Sequence, residues 1–407
     1  MQRAPLPIAQ PRLATWFVVG SGIVALASAM GIGRFAFTPL MPLMLRDGTL
    51  SVAAGAEWAA ANYSGYLVGA LTASQFSRDP RRGVQLSLFG VALTTLVTGS
   101  IGSEAPAFLG TGLRAAAGVF SAWALVCASS WCLAELAHRG AARLGAWIYT
   151  GVGLGIALAG VLAWLGGRQP ASWLWLELGL VALVAAVVGG MGLLGSSVPP
   201  ASGAAPAPAT AAQREMREHR ILVLCYGAFG FGYIVPATFL PAIAQQQVAD
   251  PLVFGLTWPL FGLAAALSVA AAARWLSDWP RRRVWALAQG VMAVGTALPI
   301  ATEALWSLAA SAVLVGGTFM VATMAGLQLA RERSPTNPTP LLARMTVAFA
   351  TGQIAGPVLV RILGSDSWLG WDALAWTNAA ATLLLALTAV LLWRRAEPPN
   401  PPPKQAR

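Results

Sequence analysis

Two arginines lie inside long apolar segments, where an ionised side chain is unfavourable unless it faces protein or a water-filled cavity. Arg34 falls past the middle of a segment that runs from about 14 to 45, and Arg114 falls within 106–135. At about 1.5 Å per helical residue, both lie roughly 12–15 Å below the same ends of their helices. Arginine offers a planar set of donors that suits a carboxylate or phosphate. We therefore predict that both arginines bind an anionic group; alternatively, one or both bond to backbone carbonyls and fix helix packing.

Other polar side chains in the apolar segments are predicted to line the same binding site. Asn62 and Tyr66 are four residues apart and therefore share one face of a helix. The alternative for this face is packing, because Gly65 and Gly69 permit a close approach of two helices. The remaining predicted substrate-binding residues are Tyr149, Tyr226, Tyr233 and Gln353.

No carboxylate falls in the middle of an apolar segment, which argues against a cationic substrate. Arginine cannot carry a proton, because its pKa lies above about 12. Glu57, near one end of the second segment, is therefore the candidate proton carrier in the protein. Otherwise an anionic substrate carries the proton itself, or transport is uncoupled.

The composition and the distribution of apolar residues predict the fold class. The chain has 407 residues, of which 57% are hydrophobic and 10% charged; a soluble domain has about 25% charged residues. We predict an all-α polytopic membrane protein with twelve transmembrane helices. The basic residues that give the net charge of +11 lie in short loops, so nucleic-acid binding is not indicated. The approximate segments are 14–45, 54–77, 83–102, 106–135, 142–166, 172–195, 220–246, 251–275, 283–302, 305–330, 341–364 and 372–393.

A Pro/Ala/Ser-rich stretch with a charged end, 196–219, is typical of a linker. It divides the chain into a six-helix N-terminal half, 1–195, and a six-helix C-terminal half, 220–395, followed by a tail, 396–407. The halves repeat each other: Gly-Ile-Gly-Arg at 31–34 is matched by Gly-Phe-Gly-Tyr at 230–233, 199 residues later. Six helices in each half make this a parallel repeat, with a site expected between the halves.

The basic residues predict the orientation of the chain. An even number of spans places both termini on one side of the membrane. Of the 26 Lys and Arg residues, all but Arg34, Arg46, Arg114, Arg168 and Arg361 fall on that side. By the positive-inside rule, we expect the termini, the linker and the tail to be cytoplasmic.

Charged residues recur at matching cytoplasmic ends of the two halves. Opposite charges near helix ends can close one face of a protein in one state and separate in another. We predict a gate here; alternatively, the arginines only hold these loops in the cytoplasm. The predicted gating residues are Arg78, Asp79, Arg81, Arg82 and Glu135 in the first half and Asp278, Arg281, Arg282, Arg283 and Glu332 in the second.

Several motifs resemble those of the major facilitator superfamily (MFS) of secondary transporters. A loop after the second segment, 77–82, resembles that superfamily's loop motif, and Arg114 with Gly118 matches its fourth-helix motif. The stretches 31–44, 62–71 and 352–357 resemble the YbfB/YjiJ-type branch of bacterial MFS transporters, which implies the inner membrane of a bacterium. The resemblance implies the MFS fold of two six-helix halves that alternate in access around a central site. For Arg114 it also implies a role in gating or coupling.

We therefore expect a secondary active transporter of a small organic solute, not an enzyme, without a cofactor or a metal. The sharper hypothesis is efflux of an anionic solute in exchange for protons, by a monomer in the lipid bilayer. A neutral solute such as a sugar is the alternative; both arginines are then structural. A second alternative is a non-transporting sensor with the MFS fold, although the short linker and tail offer no signalling domain. The sequence has no catalytic constellation or metal-ligand spacing.

Overall fold

The computed structural model describes residues 12–101, 107–193, 209–247, 251–302, 304–363 and 369–396. Within these ranges the regular structure is helical, without β-strands, and forms twelve long helices. The all-α fold is therefore confirmed. The helices are α1 (12–46, three segments), α2 (52–76, ending in one 3₁₀ turn), α3 (Pro80–Ser100), α4 (Ala107–His138), α5 (Ala142–Leu165), α6 (Ala171–Leu193), α7 (Ala209–Gln247), α8 (Pro251–Trp275), α9 (Arg281–Ala301), α10 (Leu305–Arg333), α11 (Thr339–Leu363) and α12 (Ala373–Arg394).

In the described part of the chain, ten of these helices are long and apolar enough to cross a membrane. The other two, α2 and α11, carry polar residues that were predicted to line the site, Asn62 and Tyr66 in one and Gln353 in the other. All three side chains are buried. Both helices thus carry polar residues that point into the protein.

The charged end of the predicted linker is helical. Helix α7 begins at Ala209, eleven residues before the predicted start at residue 220. The charged stretch 214–220 therefore forms turns of α7 rather than a loop. The start of the predicted linker, 196–208, lies outside the described residues, as do most of the tail and the residues before 12.

The repeated glycines bring equivalent helices together within each half. A Cβ atom at Gly31 of α1 would overlap the backbone of Gly155 in α5, and one at Gly230 of α7 would overlap the backbone of Phe349 in α11. Only glycine allows two helix backbones to approach so closely. The internal repeat in the sequence therefore corresponds to two similar packing arrangements, α1 on α5 and α7 on α11.

The two halves meet along α5 with α8 and along α2 with α11. At the first contact, Cβ atoms at Gly153 and Gly262 would lie 2.6 and 2.7 Å from the carbonyl oxygen of the other residue. The end of the bundle that holds the α2–α3 and α8–α9 loops is called here the linker side. There, the Ser130 and Thr339 hydroxyls lie 2.7 Å apart and join α4 to α11.

Candidate functional site

The middle of α1 is a π-helix over Ala27–Phe35, between α-helical segments. π-Helices are rare, and they occur frequently at functional sites. The proline at position 39 cannot donate to the carbonyl group of Phe35, which contributes to the break at Ala36 before the α-helix Phe37–Arg46 resumes. The π-helix contains Arg34 and is buried from Ser28 to Arg34.

Side chains of α4 satisfy backbone carbonyl groups of this π-helix. Nη1 and Nη2 of Arg114 lie 3.2 Å from the carbonyl oxygens of Gly33 and Arg34, respectively. The Ser121 hydroxyl donates to the Ala29 carbonyl oxygen at 2.6 Å. Arg114 and Ser121 are seven residues apart, two helical turns, so they project from the same face of α4.

Arg114 is therefore oriented toward the backbone of α1. Its guanidinium also lies over the rings of Phe37 and Trp175, with centroids at 5.0 and 5.7 Å. It does not line the cavity described below. This geometry matches the structural alternative for Arg114, in which the side chain bonds to carbonyl groups and fixes helix packing.

Arg34 is oriented toward the interface between the halves. Its guanidinium carbon lies 3.9 Å from the centroid of the Tyr66 ring in α2, and Nη2 donates to Oε1 of Gln353 in α11. The rings of Phe35 and Phe349 lie at 5.4 and 6.0 Å. Only 4% of the Arg34 surface is exposed. Its Nε and Nη1 atoms are buried and have no hydrogen-bond partner among the described residues.

Arg34 borders a small cavity between the halves. The free volume is about 10 Å³, which is enough for about one water molecule, so the cavity is closed in this conformation. Among the described residues, Arg34 is the only charged one that lines it. The lining residues are Met30, Arg34, Phe35, Tyr66, Leu125, Tyr226, Tyr233, Phe319, Met320, Thr323 and Phe349.

The structure thus brings together Arg34, Tyr66, Tyr226, Tyr233 and Gln353 of the predicted substrate-binding residues. The other predicted residues lie elsewhere. Asn62 donates to the Arg114 carbonyl oxygen at 3.0 Å, and the Tyr149 hydroxyl donates to the Ser129 hydroxyl at 3.0 Å. Glu57, the predicted proton carrier, is exposed near the start of α2 and does not line the cavity.

The predicted gating residues of the N-terminal half make mostly local contacts. Asp79 accepts from the backbone N–H of Arg82 at 3.2 Å and caps α3. Glu135 is buried and pairs with Arg139, one turn later in α4, at 2.6 Å. Arg78 is exposed, and Arg81 is partly buried.

In the C-terminal half, Asp278 makes an ion pair that joins the two halves. It lies 2.9 Å from Arg143 at the start of α5, a residue that was not predicted. Arg282 is buried and pairs with Glu218 of α7 at 2.6 Å. Arg281 lies 3.9 Å from Glu332, as the repeated charge pattern would place it, and the Arg283 guanidinium lies over the Trp393 ring.

Sequence reasoning did not single out the aromatic wall of the cavity. Phe349 precedes Gln353 by one helical turn, so their shared face was a usable signal. Phe35 adjoins Arg34 within the recognised motif. Phe319 gave no comparable signal, because α10 is apolar on several faces. The Tyr233 ring stacks on Phe319 with centroids 4.9 Å apart.

Comparison with known proteins gives a consistent assignment. The family described as "Uncharacterised MFS-type transporter YbfB" matches residues 26–391. The fold is similar to that of the human organic anion transporter MFSD10 (TETRAN), at a TM-score of 0.66 and 17% identity, over 95% of this chain and 99% of that one. It is also similar to a D-xylose–proton symporter, at 0.62 and 16%, over 96% and 99%. No curated protein matches the sequence.

Proposed function

Because the chain belongs to the YbfB family of MFS-type transporters, we propose that it moves a small organic anion across the bacterial inner membrane, with Arg34 as the anchor. Transport itself follows from the family. The proposal adds the charge of the solute, the residue that binds it, the membrane, and the cytoplasmic position of the termini. The two halves alternate in access to the cavity between α1, α2, α4, α7, α10 and α11.

The observation that carries this proposal is the incomplete bonding of Arg34. A buried donor without a partner is unfavourable by about 1–3 kcal/mol, and by more when the group is charged. Arg34 has two such donors at the edge of a cavity, while its Nη2 bonds to the neutral amide of Gln353. An anion in the cavity would accept from Nε and Nη1 and neutralise the guanidinium.

We place the direction as export in exchange for protons. No residue that lines the described cavity is a carboxylic acid. In an exchanger the proton must travel opposite to the solute, so Glu57, outside the cavity, is the proposed carrier. A proton carried by the substrate's own acid group would move with the solute and would make the protein a symporter. In proteoliposomes, an imposed proton gradient should drive the anion against its concentration gradient. Uptake along with protons would reverse the proposed direction.

A neutral solute such as a sugar is the second candidate. The amide of Gln353 has a buried Nε2 atom without a partner among the described residues, and three tyrosines line the cavity that its partner Arg34 borders. One solved structure with this fold is a D-xylose–proton symporter, whereas another is an organic anion transporter. The two similar structures therefore support different solutes, and the choice between an anion and a neutral solute depends on Arg34.

The experiment is thermal stabilisation of the purified protein in detergent by carboxylates, phosphates, D-xylose and lipophilic cations. A ligand that binds only the folded state raises the melting temperature. We expect organic anions to stabilise the wild type but not Arg34→Gln. Arg344→Gln is the matched control, because it removes the same charge at an exposed position where the Nε atom bonds locally, to the Pro340 carbonyl oxygen of its own helix. If D-xylose stabilises the wild type and Arg34→Gln equally and anions stabilise neither, the solute is neutral.

A further inference from the structure

Among the described residues, Arg34 is the one cation that lines the cavity. The rest of the wall is apolar except for the hydroxyl groups of three tyrosines and of Thr323. We propose that the solute is an aromatic monocarboxylate, with its carboxylate on Arg34 and its ring among the side chains of the C-terminal half. This inference rests on the proposed function, since it requires that Arg34 binds an anion. It adds the number of charges and the shape of the solute.

The number of charges on the solute follows from the number of guanidinium groups at the cavity, which among the described residues is one, that of Arg34. Arg114 is predicted from the sequence to lie at a similar depth to Arg34, but its Nη1 and Nη2 atoms bond to the Gly33 and Arg34 carbonyl oxygens. Of the two intramembrane arginines, Arg34 alone therefore faces the solute. One carboxylate neutralises it, whereas a dianion would leave an unpaired negative charge in an apolar cavity, which is strongly unfavourable.

The flat shape follows from the orientation of the rings opposite Arg34. The Tyr233 ring is nearly parallel to those of Phe319 and Phe349, at interplanar angles of 19° and 20°. Phe35, beside Arg34, meets Phe319 at 74°. An aromatic solute could therefore stack on one ring and meet another edge-on, the two arrangements that aromatic pairs prefer.

Gln353 marks where the carboxylate would bind. Its Oε1 atom accepts from Arg34 across the interface between the halves, as a carboxylate oxygen would. The free volume of about 10 Å³ excludes a ring in this conformation. The solute must therefore enter as the halves separate. Its carboxylate then accepts from Nε and Nη1 of Arg34 beside Gln353, whose unpartnered Nε2 can also donate to it.

The test compares five probes by thermal shift and titration: benzoate, cyclohexanecarboxylate, acetate, phthalate and benzamide. We expect benzoate to bind about 10- to 100-fold more tightly than acetate, because its ring is buried. Phthalate and benzamide should bind at least about tenfold more weakly than benzoate, since one adds a charge and the other lacks one. The preference for benzoate over cyclohexanecarboxylate should fall about two- to tenfold in Phe319→Leu. Phe108→Leu, at a ring that is 76% exposed, should leave it unchanged.

The outcomes separate the two levels of the argument. If acetate or phthalate binds as well as benzoate and Arg34→Gln removes the binding, the anion proposal stands and the aromatic monocarboxylate is overturned. Equal binding of cyclohexanecarboxylate and benzoate in the wild type also overturns the aromatic part. If benzamide binds as well as benzoate, or no anion responds to Arg34→Gln, both proposals fail.

Discussion

Helices α1 and α7 occupy matching places in the two halves and share a glycine pattern, yet their backbones differ. α1 widens into a π-helix at Ala27–Phe35, whereas α7 is a continuous α-helix over Ala209–Gln247. The residue after the second matched glycine is Arg34 in α1 and Tyr233 in α7. One half thus brings a charge to the cavity and the other brings a ring.

We attribute this difference to the neighbouring helix. α4 packs on the π-helix and supplies Arg114 and Ser121, whose donors satisfy its carbonyl groups. In α10, the helix of the second half that matches α4, the only arginines are Arg331 and Arg333 at its end. A buried backbone carbonyl needs a partner, so a widened helix is favourable only beside suitable donors. The sequence pattern that α1 and α7 share therefore does not set the backbone conformation of either helix by itself. The side chains of the neighbouring helix also contribute.

Removing Arg114 should have the largest effect on the difference between α1 and α7. Arg114→Leu leaves the Gly33 and Arg34 carbonyls unpartnered, at about 1–3 kcal/mol each. We expect a loss of about 2–6 kcal/mol in the free energy of unfolding, seen as a lower melting temperature in detergent. Arg114→Lys should lose less, because an ammonium group can still donate to one carbonyl. An unchanged melting temperature in Arg114→Leu would show that the π-helix does not depend on α4.

Replacing the two matched residues should separate their roles. In Arg34→Gln, organic-anion binding should weaken about 10- to 100-fold, the range expected for a hydrogen bond to a charged group. In Tyr233→Phe the ring remains, so binding should change by less than about threefold. Titration of both variants with the same anion measures the contrast. Equal losses in the two variants would assign the anchoring charge elsewhere.

The matched glycines should respond alike, in contrast to the matched polar residues. Gly31→Ala and Gly230→Ala would each place a methyl group against a neighbouring backbone, and overpacking of this kind typically destabilises by about 1–3 kcal/mol. Gly20→Ala is the control in α1, because an added Cβ atom there would meet no neighbouring group within 4 Å. It should be neutral or raise stability by up to about 1 kcal/mol. Thermal unfolding of the three variants tests whether the repeat is a packing repeat.

The smallest effect on stability is expected for Asp47, which follows α1 at the end of the bundle opposite the linker side. Burial raises the pKa of Asp47, but the Ala171 backbone N–H and the side chain of Arg46 outweigh it, so the pKa is lowered from its ordinary value of 3.8. Asp47 also caps α6 by accepting from Ala171 at 2.6 Å. The ionised form is therefore favoured by folding, and its contribution is present above pH 3.8 and lost as the pH falls through the lowered value.

This pH dependence can be measured by thermal unfolding between about pH 6 and pH 3. The wild type should be more stable than Asp47→Asn at the upper end of this range, and the difference should shrink below pH 3.8. A difference that stays constant with pH would mean that the charge of Asp47 is not involved. The corresponding residues after α7, 248–250, lie outside the described part of the chain.

The structure places the predicted site residues in two kinds of surroundings. Arg34 was identified because a charge within an apolar segment stands out without knowledge of the fold. Gln353, Tyr226 and Tyr233 followed from polarity in apolar segments, and all three lie at or beside the cavity. Tyr149 was selected by the same rule but contacts Ser129 instead. Polarity thus marked buried polar residues without distinguishing a cavity from a helix contact.

The sequence by itself determined that this is a membrane-embedded bundle of helices in two repeated halves, with a buried charge in the first helix. These properties depend on segment length, composition and repeat spacing, which can be read along the chain without knowing which segments are in contact. Only the tertiary structure decided that Arg34 faces a cavity while Arg114 bonds to the backbone of α1. That decision depends on which carbonyl groups lack partners after packing, and those of Gly33 and Arg34 lie beside the donors of Arg114 in α4.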